Sequence, residues 1–113
     1  MKARNPLFAA PPHQVERALK KLGADLRTAR LRRNLTGEEV AHKIGTSRFA
    51  VADAEKGKPS TGVAVYAALL WAYGLIDRLS DLADPEKDED GARLALVHSP
   101  ARARHPRKLS NEF

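Results

Sequence analysis

Between Leu35 and Lys58 the sequence specifies two short helices with almost no chain between them. Thr36 followed by Glu39 is a capping box: the hydroxyl and the carboxylate each satisfy a backbone N–H at a helix start. Leu35 and Val40 stand at the two positions of its hydrophobic staple. The helix so opened spans 37–44, carries Val40, Ala41 and Ile44 on one side, and stops at Gly45. Thr46 or Ser47 caps a second helix over 47–56, which stops at Gly57, with Pro59 enforcing the break. Two helices joined by two or three residues around a glycine form a helix-turn-helix, because glycine supplies the backbone freedom that a steep crossing needs.

The rest of the chain reads as support for that pair. From His13, residues Val15, Leu19, Leu22, Leu26 and Ala29 recur at three- or four-residue spacing, so a helix runs to about Asn34. Residues 1–12 read as an irregular, flexible arm, since Arg4-Asn5-Pro6 and Pro11-Pro12 discourage helix. Ser60 or Thr61 caps a fourth helix, about 61–73, apolar on almost every side and ended by Gly74. A fifth, about 75–83, carries Leu75, Ile76, Leu79 and Leu82 and is closed by Asp84-Pro85. Residues 86–91 form an acidic linker, Ala92–Val97 an apolar run that fits helix or strand, and 99–113 a basic tail. The expected fold is all-α: a compact five-helix domain over 13–85, with an arm before it and a linker and tail over 86–113.

Charge is segregated along the chain. Residues 1–58 hold thirteen Lys/Arg against six Asp/Glu, residues 59–90 two against seven, and residues 91–113 five against one. A basic half joined to an acidic segment suggests one face for a polyanion and another for a different partner. With no cysteine there is no disulfide framework, thiolate nucleophile or Cys-ligated zinc. No apolar signal core is expected near Met1, and the longest apolar run, Val63–Ile76, is too short for a bilayer, so a cytoplasmic location is expected. The histidines His13, His42, His98 and His105 lack metal-ligand spacing and read as surface residues. No phosphate loop, activated nucleophile or carboxylate pair is legible, so neither enzyme activity, nor a cofactor, nor a small-molecule substrate is expected.

Helix 47–56 divides by position. Ala50, Val51 and Ala54 share one side and pack inward; Arg48 and Ala52, and Phe49 and Asp53, are i,i+4 pairs on the other. On an outer face entering a major groove, Arg48 can donate twice to guanine, Phe49 can lie against a thymine methyl and Asp53 can accept from cytosine. Thr46 and Ser47 at the helix start meet phosphate, and Lys56 and Lys58 add sequence-independent phosphate contacts. Each has a plainer alternative. Arg48 is equally a phosphate contact or a solvated side chain, Phe49 a core residue, and Asp53 a partner for Arg48 or Lys56. In helix 61–73, Tyr66, Trp71 and Tyr73 do not obviously all fit inside one core. A homodimer interface is expected to draw on Tyr66, Leu70, Trp71, Tyr73, Ile76 and Leu79, the plainer reading being the central helix of a small bundle. The basic stretch 102–108 is a solvated end, a phosphate contact or a docking segment.

Leu35-Thr36-Gly37-Glu38-Glu39-Val40-Ala41, Ile44-Gly45-Thr46-Ser47 and Glu55-Lys56-Gly57 resemble the Cro/C1 (XRE) helix-turn-helix family, over roughly residues 20–83. Leu22-Gly23-Ala24-Asp25-Leu26-Arg27, Ala29-Arg30-Leu31-Arg32-Arg33, Glu55-Lys56-Gly57 and Asp81-Leu82-Ala83-Asp84-Pro85 bring the layout closer to the HipB-type antitoxins, which it resembles. The resemblance implies a lambda-repressor-like fold and a homodimer on double-stranded DNA with a palindromic operator. It also implies repression of the chain's own operon and binding of a HipA-like Ser/Thr kinase toxin. A stand-alone repressor and a protein-binding module with weak DNA contacts are the alternatives. Thr36, at the start of the first helix of the pair, completes the expected DNA-binding set, and the resemblance pairs Arg30 with Glu55 as a structural ion pair. Two departures thin the expected contacts: Gly37 stands where the family often has a phosphate-binding Gln, and Ala50, Ala52 and Ala54 stand where larger side chains are usual.

Overall fold

The structure, a computed structural model, describes residues 5–103. They fall into two units, one ending at Leu79 and one beginning at Ser80. The described residues are helical, with no strand among them, as the sequence pattern requires.

In the first unit α1 is Pro6–Ala9, α2 His13–Arg32, α3 Gly37–Ile44, α4 Arg48–Glu55 and α5 Val63–Ala72; a 3₁₀ helix over Ile76–Asp81 begins in this unit and ends in the next. The core takes residues from four helices: Leu26 and Ala29 of α2, Val40 and Ala41 of α3, Val51 and Ala54 of α4, Tyr66 and Leu69 of α5, and Tyr73 just beyond. Burying each of Leu26, Val40, Val51 and Leu69 stabilises the fold by about 1.5–3 kcal/mol. The helix 37–44 has the expected bounds, and its capping box is complete: the Thr36 hydroxyl accepts from Glu39 N at 3.0 Å, and Thr36 N donates to the Glu39 carboxylate at 2.8 Å. Gly45 ends it at φ 83°, in the left-handed region that glycine enters freely. Ser47, not Thr46, caps α4, its hydroxyl accepting from Ala50 N at 3.1 Å.

Several expectations are corrected. Residues 6–9 are a helical turn rather than irregular, because Pro6 occupies the first helical position, where its missing N–H costs nothing and the Asn5 side chain accepts from Leu7 N. The cap of α5 is Gly62, with no side-chain hydrogen bond, rather than Ser60 or Thr61. The fifth helix is a six-residue 3₁₀ segment instead of a full α-helix.

In the second unit a 3₁₀ turn over Pro85–Lys87 is capped by the Asp84 side chain, and α6 runs Glu89–Ala103. The expected acidic linker therefore enters two helices. Glu89 and Asp90 lie in the first turn of α6, where negative charge meets the positive end of the helix dipole, and Asp88 Oδ1 accepts from Gly91 N at 2.9 Å. The run Ala92–Val97 is resolved as helix, which continues to Ala103. The basic stretch 102–108 lies for the most part outside the described residues.

Candidate nucleic-acid interface

The interface begins with how α4 is held from behind. Val51 and Ala54 are buried, and Ala50 is half-buried beside them. Two glycines let backbone meet backbone. A Cβ on Gly23 of α2 would sit 2.5 Å from Ala54 O, and one on Gly57 would sit 2.5 Å from Leu19 O. Gly57, at φ 71°, also turns the chain out of α4. The signal for Gly23 in the sequence is a glycine inside a helical pattern, which marks close packing.

At the C-terminal end of α4 the ion pair implied by the resemblance is present. Arg30 Nε donates to Glu55 Oε2 at 2.8 Å and Nη2 to Oε1 at 3.0 Å, a bidentate fork. Arg30 Nη1 donates to Leu35 O at 2.9 Å, so the same guanidinium ties α2 and α4 to the strap before α3. The hydrogen bond to Glu55 raises the Arg30 pKa against the opposing effect of burial. Arg33 has a role the sequence did not signal: it donates to Ala29 O and to Tyr73 O, both at 2.9 Å, and lies over the Tyr73 ring at 5.5 Å.

The outward side of α4 carries the expected residues. Arg48, Phe49 and Ala52 are exposed, Phe49 at 67%. The Arg48 guanidinium lies 5.1 Å from the Phe49 ring centroid. Ser47, Arg48 and Phe49 line an open concavity with Thr46, Glu38 and His42, so the starts of α3 and α4 face the same solvent. Thr36, Lys56 and Lys58 are exposed and Thr46 is partly so. The hydroxyls of Thr36 and Ser47 accept backbone hydrogen bonds in their caps, which leaves each free to donate to an anion.

Asp53 is placed differently from expectation. Its carboxylate pairs with Lys58 at 3.3 Å, not with Arg48 or Lys56, because Gly57 turns the chain back so that Lys58 N also reaches Asp53 O. The pair engages with each other two side chains that the sequence assigns separately to DNA contacts.

The six residues expected at a dimer interface separate. Tyr66 and Tyr73 are buried in the unit's own core, a correction with a clear cause: α5 is the central helix of a small bundle, and the Tyr66 hydroxyl reaches its edge to donate to Lys58 O at 3.3 Å. Burial raises the Tyr66 pKa and pushes that of Tyr73 up to about 12. Leu70, Ile76 and Leu79 are half-buried, and Trp71 is 56% exposed with Lys43 Nζ 5.8 Å from its ring centroid. No helix among the described residues is long and apolar enough to cross a membrane, and no group of three or more metal-ligating side chains occurs among them.

A family described as "Helix-turn-helix domain" matches residues 21–82. No curated protein and no solved structure matches the chain.

Proposed function

The chain belongs to the helix-turn-helix domain family, and from that membership we propose that it is a sequence-specific repressor that inserts α4 into the major groove of double-stranded DNA. One observation carries the reading. The contacts that tie α4 to α2 lie on its inner side, at Gly23, Gly57 and the Arg30–Glu55 fork, while Arg48, Phe49 and Ala52 face solvent. A helix anchored so completely from behind presents a rigid outer face, which is what base recognition requires. The basic excess of residues 1–58 supports it by supplying phosphate contacts around that face.

In its fuller form the proposal is a HipB-like antitoxin. Two copies bind a palindromic operator, repress the operon that encodes them and hold a HipA-like Ser/Thr kinase toxin. The residues left for pairing the copies are Trp71 and the half-buried Leu70, Ile76 and Leu79, and the pairing sets the two α4 helices about 34 Å apart, one turn of DNA. This finer reading rests on the resemblance of residues 22–33, 55–57 and 81–85.

The test is a mobility-shift titration of the purified protein on its own promoter fragment across a salt series, with co-purification of the neighbouring gene product. Binding that weakens steeply with salt and saturates as a dimer is expected. No shift at low salt refutes DNA recognition. Binding without a co-purifying kinase leaves a stand-alone repressor of the same fold.

A further inference from the structure

We propose that Arg48 and Phe49 act as one reading unit for a C5-methylated pyrimidine beside a guanine. A 5-methylcytosine–guanine step is then read as a thymine–guanine step is, and the unmethylated step is discriminated against. The proposal rests on the DNA-binding reading above and names what that site prefers.

Three observations carry it. First, a phenylalanine 67% exposed at the start of a helix that is otherwise mostly alanine and valine on its apolar positions contributes nothing to the core. Second, the Arg48 guanidinium sits 5.1 Å from that ring and has no carboxylate partner among the described residues. Both acids of α4 are engaged elsewhere, Asp53 with Lys58 and Glu55 with Arg30. A cation held by a π face keeps its N–H groups for another acceptor, and an arginine so fixed loses little freedom on binding. Third, at 5.1 Å the guanidinium and the ring centroid are more than one base step of about 3.4 Å apart but less than two, so the two groups can reach neighbouring base pairs.

The chemistry of the groove then chooses the step. Guanine presents O6 and N7 to a forked arginine donor, and the one apolar major-groove feature of the standard bases is the thymine C5 methyl. Phe49 has no hydrogen-bonding atom, so it senses the methyl and not the exocyclic group at C4. 5-Methylcytosine places the same methyl at the same position. Uracil and cytosine lack it.

The experiment uses full-length protein and duplexes that it selects from a random pool. In the tightest-binding duplex, the pyrimidine beside the Arg48-dependent guanine is replaced by thymine, uracil, 5-methylcytosine or cytosine. Thymine is expected to bind about fourfold tighter than uracil, and 5-methylcytosine about fourfold tighter than cytosine, from loss of one buried methyl. F49A should erase both differences and also weaken the preference for the neighbouring guanine, because the arginine loses its support. Its melting temperature should match wild type, since the ring is outside the core. Equal binding to thymine and uracil duplexes, with duplex binding otherwise intact, overturns this proposal and leaves the DNA-binding reading standing. Failure to select any duplex overturns both.

Discussion

Replacing Glu55 by alanine tests the physical basis of the whole arrangement. The side chains of Arg30 and Glu55 are only 13% and 8% exposed, and their fork spans 25 residues of sequence. Removing the carboxylate strips two hydrogen bonds from the guanidinium and leaves it with the Leu35 carbonyl alone. An uncompensated charge in such a place costs about 3–5 kcal/mol. Arg30 retains some access to water, so the lower end, about 3 kcal/mol, applies. For a domain of this size 1 kcal/mol shifts the melting temperature by about 4–8 °C, so E55A should melt about 12–24 °C below wild type. E55Q, which keeps the shape and one acceptor, should fall between. Pairing R30M with E55L should recover most of the loss, since two apolar side chains of similar volume bring no buried charge. The assay is thermal unfolding followed by circular dichroism. An E55A curve within about 3 °C of wild type would mean that the fork is screened by solvent and does not hold α4, and the rigid-face argument would fall with it.

Further expectations follow from particular contacts. G23A should destabilise the fold although alanine is the better helix former, because its Cβ would sit 2.5 Å from Ala54 O; G37A, with open space around it, should stabilise by a few tenths to about 1 kcal/mol, and chemical denaturation separates the two. Arg48→Ala should cost operator binding about 1–3 kcal/mol and relax specificity at one base pair, whereas Lys58→Ala should weaken all sequences about equally and lower the salt slope; identical effects in competition assays would reduce Arg48 to a phosphate contact. D53N should raise affinity for nonspecific duplexes by releasing Lys58 from its 3.3 Å ion pair, and unchanged nonspecific binding counts against that role. Tyr73, with its pKa pushed up to about 12 by burial, favours the neutral phenol when folded, so its contribution is full below the ordinary value near 10 and is lost as pH rises toward 12. Because its hydroxyl has no hydrogen-bond partner, Y73F should hold stability at pH 7 and flatten that alkaline loss in pH-dependent melting.

The sequence reveals the recognition half of the molecule better than its supports, for a physical reason. Helix starts and stops at Thr36, Gly45 and Ser47 are local: a hydroxyl, a carboxylate and a glycine each act within four residues, and the structure keeps all three. The outward placement of Phe49 follows from the same short-range arithmetic once Val51 and Ala54 face the core. What local pattern cannot supply is which of two apolar faces meets the bundle. Helix α5 is apolar all round, and only tertiary packing selects Tyr66, Leu69 and the following Tyr73 for the interior while leaving Val63 and Trp71 outside. The Lys58–Asp53 pair was likewise hidden, because it depends on the turn that Gly57 imposes rather than on helical spacing. The acidic run conceals its helices for a different reason: clustered carboxylates resemble a solvated linker in composition, yet at a helix N-terminus the same charges are stabilising.

These placements separate stability from recognition on a single eight-residue helix. Its inner side is fixed by backbone contact at Ala54 and a buried fork at Glu55, both near the C-terminal end. Its proposed readers, Arg48 and Phe49, stand at the opposite end, before the first buried residue, Val51. An eight-residue helix is too short to be stable alone, so its direction is set by those inner contacts and not by its own propensity. On the proposed reading, substitutions at 48, 49 and 52 change what is bound without unfolding the domain, whereas substitutions at 23, 30, 55 and 57 loosen the helix itself. The alanines at 50 and 54 belong to the second group in spite of their size. Ala54 is fully buried with its carbonyl against Gly23, and any larger residue there would push α4 away from α2 and shift the outer face that carries Arg48.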